Sequence, residues 1–153
     1  MLFDARERFT LTDKFLDQYR GKQPKWGPLG YVTFKRTYAR VVAGAGGRTE
    51  EYWETVRRVV EGCYTIQWNH CRNLKLPWNA QKAQRSAQEM YNLMWEFRFL
   101  PPGRGLWMMG TDYIYERGSA ALNNCAFVST DEISFNFSEP FCFLMDMSLL
   151  GVG

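Results

Sequence analysis

The chain is poor in the residues that build metal sites and disulfide frameworks: one histidine and four cysteines in 153 residues. Cys63, Cys71, Cys125 and Cys142 lie too far apart for a CxxC-type metal site or a dense disulfide network. In a reducing compartment they are free thiols unless one does chemistry. His70 adjoins Cys71, but neighbouring helical residues project about 100° apart, and no further ligand cluster lies near, so a packed pair is the reading. No apolar run approaches the roughly 20 residues of a membrane span. Asp4, Arg6, Glu7 and Arg8 stand where a signal sequence would carry its apolar core. A cytoplasmic protein without a membrane partner is expected. The charge balance of 19 basic against 16 acidic residues, net +3, is too mild to imply nucleic acid by itself. There is no GxxxxGK[ST] phosphate loop, no internal repeat and no low-complexity tract.

What is present is a composition for a packed domain, 46% hydrophobic and 16% aromatic. Thr10 to Tyr19 reads as a short helix with Thr12 as N-cap and Gly21 as stop. Pro24 to Gly30 reads as a loop. Tyr31 to Arg40 interleaves Tyr31, Phe34 and Tyr38 with Lys35, Arg36 and Arg40. It is either a surface for phosphate or single-stranded nucleic acid, or an amphipathic segment that docks its rings and solvates its charges. Ala43 to Gly47 is a glycine-rich turn. Thr49 is expected to cap a helix whose Trp53, Val56 and Val60 face the core, with Gly62 weakening or bending it. Asn79 is expected to cap the longest helix, about residues 80 to 97, with a stripe of Ala83, Ala87, Met90, Tyr91, Met94 and Phe97. Pro101-Pro102 then ends it.

Beyond this point the texture changes. Pro101 to Gly110 has no helical period and mixes glycine with Trp107, Met108 and Met109. Glycines let a backbone approach a ligand closely, and Arg104 suits either a phosphate or a structural ion pair. Gly118-Ser119 marks a turn, and Cys125 to Ser129 reads as a buried strand. Ser138 is a candidate N-cap, with Glu139 and Pro140 in the first turn, for a helix carrying Phe141, Leu144, Met145 and Leu149. The glycine-rich, apolar end at Gly151-Val152-Gly153 reads as a chain interrupted in mid-fold. On residue type alone, Cys125 is a small hydrophobe on a strand.

As a set, several segments resemble the monomeric adenosylcobalamin-dependent ribonucleoside-triphosphate reductases, the class II ribonucleotide reductases. They are Trp26-Gly27-Pro28-Leu29-Gly30-Tyr31 through Arg40, Glu54-Thr55-Val56-Arg57-Arg58-Val59-Val60-Glu61-Gly62, and Gly103-Arg104-Gly105-Leu106-Trp107 with Gly110-Thr111-Asp112-Tyr113. Leu122-Asn123-Asn124-Cys125, Pro140-Phe141-Cys142-Phe143-Leu144 and the terminal Gly-Val-Gly complete the series. They keep family order and approximate spacing from about residue 24 onward.

The resemblance implies an α+β chain: residues 1–100 a helical N-terminal region, residues 101–153 the start of a ten-stranded α/β barrel, incomplete here, with its substrate and effector loops. It implies that Cys125 on the first barrel strand is one of two cysteines that reduce the ribonucleotide and become a disulfide, its partner lying outside this chain. Arg104, Gly105, Asn124, Gly151 and Gly153 match places that approach substrate. The segment from Ser138 matches the start of the region for an allosteric deoxynucleotide, so Ser138, Phe141 and Asp146 are effector candidates. Cys142 stands where the family commonly has a small polar residue and is read as packing. Adenosylcobalamin is the implied cofactor, its site mostly outside this chain. A thioredoxin-like dithiol is the implied reductant, and the rest of the reductase is the implied partner. The end at the glycine loop suggests half of a split enzyme, an intein-interrupted gene or a truncated piece, inactive alone, and an uncovered strand edge predicts aggregation. Two alternatives remain: a non-catalytic nucleotide- or partner-binding module, and a nucleic-acid binder through Tyr31 to Arg40, whose affinity would fall steeply with salt.

Overall fold

The computed structural model describes residues 8–119, 122, 125–126, 129, 138–146 and 151–152. In chain order its elements are α1 (Asp13–Leu16), α2 (Pro28–Thr37), α3 (Tyr52–Asn73), α4 (Ala80–Trp95), α5 (Gly103–Met108), α6 (Asp112–Arg117), β1 (Cys125–Ala126), α7 (Glu139–Asp146) and β2 (Gly151–Val152).

The framework is the antiparallel pair α3 and α4. Helix α3 starts because Glu51 and Glu54 close a reciprocal capping box, with the Glu51 N–H donating to Glu54 Oε2 at 2.8 Å. The cap therefore falls two residues beyond Thr49, which instead bridges to Val41 across the Ala43–Gly47 turn. Arg48 pairs with Glu54 and holds its carboxyl below the ordinary glutamate range. Val56, Val59 and Val60 are at most 1% exposed. Trp53 is only half-buried and lines a cleft. Its carbonyl accepts the Tyr91 hydroxyl at 3.0 Å, while Tyr52 donates to the Met94 carbonyl at 2.9 Å. Each helix thus sends a buried phenol to the other's backbone, and burial pushes both phenols far above their ordinary range.

Helix α4 is capped as expected, Asn79 Oδ1 accepting the Lys82 N–H at 2.9 Å. Ala83, Ala87, Tyr91 and Met94 are buried. The helix stops at Trp95, short of the expected Phe97, because the chain reverses. Phe97 takes φ +58°, and the N–H groups of Arg98 and Phe99 return to the Leu93 carbonyl. The Phe97 ring still packs 5.3 Å from that of Tyr52, centroid to centroid.

Two segments read as loop are helical. Pro28 is the first residue of α2, where its missing N–H costs nothing, so the loop ends at Gly27. Phe34 is buried by α2, and Trp26 stacks near both Phe34 and Tyr52. Lys35 is engaged inside the fold, with Nζ 2.6 Å from Glu51 Oε1 and 3.0 Å from the Glu50 carbonyl. The basic–aromatic stretch is thus a docked amphipathic helix with one of its cations neutralised. Pro101 to Gly110, expected to lack helix, contains α5.

The N-terminal strap has little secondary structure: α1 is a single turn, without a side-chain cap from Thr12. Side chains of α3 and α4 satisfy the strap's backbone instead. Phe9 N–H donates to Thr65 Oγ1 at 3.0 Å, Leu11 N–H to Glu61 Oε1 at 2.9 Å, and Gln84 Nε2 to the Thr10 carbonyl at 2.6 Å. Burial raises the Glu61 carboxyl above its ordinary value, against the opposing pull of the Leu11 N–H and Arg57. A raised folded-state value means the native chain binds the proton more tightly than the unfolded one. Stability from this group is therefore expected to fall as pH rises from about 4.3 through the raised value. Glu61→Gln should flatten that part of the profile in urea titrations across acid to neutral pH; equal slopes in both proteins would refute it.

Near the C-terminus, β1 and β2 pair in parallel, with Cys125 opposite Gly151 and Ala126 opposite Val152, and α7 lies between them in sequence. They are the only strands among the described residues. Ser129 is outside β1, so the strand is shorter than expected. The Ser138 carbonyl accepts the Cys142 N–H at 2.9 Å as α7 begins. No barrel is visible among the described residues. They form a helical region ending in one parallel strand pair.

Candidate functional site

The best-built polar centre joins α3 to α5. Arg58 places Nε 2.7 Å from Glu50 Oε1 and Nη2 3.0 Å from Oε2. The same guanidinium donates to the Leu106 carbonyl at 3.0 Å and the Met109 carbonyl at 2.6 Å. Glu50 also accepts the Thr55 hydroxyl at 2.8 Å and the Arg40 N–H at 3.2 Å. Side-chain exposure of only 14% and 10% makes this a largely desolvated pair with most of its bonding capacity used. Arg58 stands within the Glu54 to Gly62 segment of the motif series, but that series does not point to its pairing with Glu50. A signal was present: Thr55, Arg58, Gly62, Thr65 and Asn69 fall at helical spacing as a second, polar or small stripe of α3.

Gly62 lies on that stripe. It leaves α3 unbroken. It permits contact: a Cβ at Gly62 would sit 2.6 Å from Gly110 Cα, and one at Gly110 would sit 2.2 Å from the Arg58 carbonyl oxygen. Gly110 also takes φ +77°, a conformation that side-chain-bearing residues rarely adopt. Gly110→Ala is expected to destabilise the chain by roughly 2–4 kcal/mol, combining overlap and backbone strain. Urea unfolding measures it, and a change within about 0.5 kcal/mol would show that the turn relaxes freely.

Beside this junction lies an open cleft of about 660 Å³, bordered by Arg8, Arg40, Trp53, Arg57, Asp112 and Tyr113 among others. Two of its cations are paired internally, Arg57 with Glu61 and Arg8 with Asp112. A second, apolar groove of about 540 Å³ runs between α2 and the residues after α4, lined by Trp26, Leu29, Phe97 and Leu100.

Those residues singled out in the sequence that the structure describes fall into three groups. Half-buried Arg104 and buried Gly105 share the first turns of α5. A Cβ on Gly105 would lie 3.1 Å from Pro101 Cβ, so close packing gives this glycine a reason of its own. Cys125 and Gly151 are brought together as partners across β1 and β2. Ser138 precedes α7, which carries Phe141, 61% exposed, and Asp146. Asn124 and Gly153 lie outside the described residues. Among the described residues, no group of three or more His, Cys, Asp or Glu could hold a metal ion, His70 and Cys71 included. No described helix is long and apolar enough to cross a membrane.

A helical body that clamps a short glycine-containing helix, followed by a strand–helix–strand unit, is the architecture of a known class. The chain belongs to the ribonucleotide reductase alpha domain family, whose model matches residues 11–111. Its relatives narrow this to the cobalamin-dependent branch. It is 48% identical over 99% of its length to a probable adenosylcobalamin-dependent ribonucleoside-triphosphate reductase of Dictyostelium discoideum, and 46% identical over 96% to the adenosylcobalamin-dependent ribonucleoside-triphosphate reductase of Euglena gracilis. The crystal structure of a B-12 dependent (class II) ribonucleotide reductase superposes with a TM-score of 0.75, at 33% identity, over 95% of this chain and 22% of that one. The chain spans about one fifth of the length of these curated relatives, matching 20% of each. The resemblance carried by the motifs is borne out.

Proposed function

We propose that this chain is the N-terminal part of an adenosylcobalamin-dependent reductase that converts ribonucleoside triphosphates to 2′-deoxyribonucleotides for DNA synthesis. The observation that carries the reading is its identity, over nearly its whole length, to relatives bearing that activity in their names. Residues 1–100 form the helical region and residues 101–153 begin a ten-stranded barrel; the parallel β1–β2 pair supports the latter.

Adenosylcobalamin, which the relatives carry in their names, is held mostly by the rest of the reductase in this reading. Bound there, it would initiate the thiyl radical, on a cysteine outside this chain, by which the ribose 3′ hydrogen is removed. This chain's share is positioning and reduction. Cys125, at the mouth of β1, provides one of two thiols. Together they give up two electrons and two protons, the 2′ hydroxyl leaves as water, a C–H bond forms at C2′, and the thiols close to a disulfide. A thioredoxin-like dithiol reopens it. Gly105, Asn124, Gly151 and Gly153 stand where backbone or carboxamide approaches the substrate, and Arg104 takes a phosphate. Ser138, Phe141 and Asp146 begin the deoxynucleotide effector site.

The test is to combine this chain with the remaining four fifths of the reductase and assay deoxynucleotide formation from ribonucleoside triphosphates, with adenosylcobalamin and a dithiol. Activity that requires both pieces supports the reading. A folded complex that binds a deoxynucleotide yet reduces nothing would leave a binding module instead. The position of Lys35 argues against the nucleic-acid alternative, since its charge is engaged within the fold.

A further inference from the structure

Building on the reading of Arg104 as a phosphate contact, we propose that Arg58, oriented by Glu50, is a positioning residue that fixes helix α5 for the nucleotide's triphosphate. Helix α5 has six residues and the sequence Gly-Arg-Gly-Leu-Trp-Met, far below the length at which a helix holds itself in water. Its place is set by what grips it. The grip is concentrated at its C-terminal end, where carbonyls lack intrahelical partners. Arg58 takes the carbonyls of Leu106 and Met109 with two donors of one rigid planar fork, while Glu50 holds other edges of the same fork. Arg40 adds a longer bond to the Trp107 carbonyl, 3.4 Å, and lies over the Trp107 ring at 5.6 Å. Gly62 and Gly110 bring the backbones together beside it.

A largely buried ion pair contributes little net stability compared with apolar packing of equal volume. What it supplies is direction. A fork bound at four points resists both rotation and sliding of α5, which an apolar contact would tolerate. Arg104 is two residues from the Leu106 carbonyl, so any sliding is passed to it almost undiminished.

The experiment uses the reductase reassembled from this chain and its remainder. Arg58→Lys keeps the charge and loses the fork. It should raise KM for the ribonucleoside triphosphate about tenfold with kcat within about twofold, the pattern of lost uniform binding. Arg104→Ala should raise KM as well, and Arg58→Lys added to Arg104→Ala should raise it no further. Arg40→Met, outside the buried pair, should give a smaller, equally non-additive rise, and it carries the test if Arg58→Lys fails to fold. Additive increments, or an unchanged KM in both arginine variants, overturn the positioning role while leaving Arg104 as a phosphate contact. An unchanged KM in Arg104→Ala overturns that contact, and the positioning role falls with it.

Discussion

Cys125→Ser in the reassembled reductase is expected to lower dithiol-supported turnover by at least about a thousandfold while nucleotide binding persists. The substitution exchanges one small atom for another at the entrance of a strand, so the backbone partnership with Gly151 has no reason to change. What changes is chemistry. A hydroxyl cannot surrender an electron to become half of a disulfide, nor be regenerated by thiol exchange. The decisive comparison sets multiple turnover against binding of a deoxynucleotide in the same preparation. Normal turnover by the serine variant would return Cys125 to a packing role, which residue type alone favours.

Arg58→Ala carries the largest expected loss of stability, about 3 kcal/mol or more, because Glu50 would be left largely desolvated without its cation. The Leu106 and Met109 carbonyls would lose their donor in the same step. Glu50→Gln together with Arg58→Met should cost less than the separate losses summed, since neither partner is then a lone charge. Denaturant unfolding of the three variants measures this. An Arg58→Ala loss below about 1 kcal/mol, the range of exposed pairs, would mean that water reaches the junction and screens it.

Local chemistry was legible in the sequence; tertiary bonding was not. The cap at Asn79 and the stripe from Ala83 to Met94 depend on residues within one helix, and both stand as read. Ser138, Glu139 and Pro140 likewise announced α7. Pro28 was ambiguous because proline serves a loop and a first helical turn equally well. Helix α5 could not be read, since two glycines and no period argue against a helix that Arg58 holds from 45 positions earlier. The packing role of Gly62 was hidden for the same reason. Its low helix propensity is visible in the sequence, whereas the Gly110 backbone it accommodates is not. For the site, the ordered motifs drew attention to Cys125 and Gly151, which the fold makes neighbours, and included Arg58, but not its pairing with Glu50 eight positions earlier.

The glycine-to-glycine contact between α3 and the turn after α5 bears on motion as well as stability. Where side chains separate two elements, rotamer changes let the gap breathe on the picosecond to nanosecond scale. At Gly62 and Gly110 no side chain is present to do so, and the spacing is set by main chain against main chain. Movement there requires shifting the backbone itself, in step with the arginine that grips the same turn. Amide exchange around Met109 to Thr111 should accordingly follow the opening of α3 rather than the faster fraying of a six-residue helix.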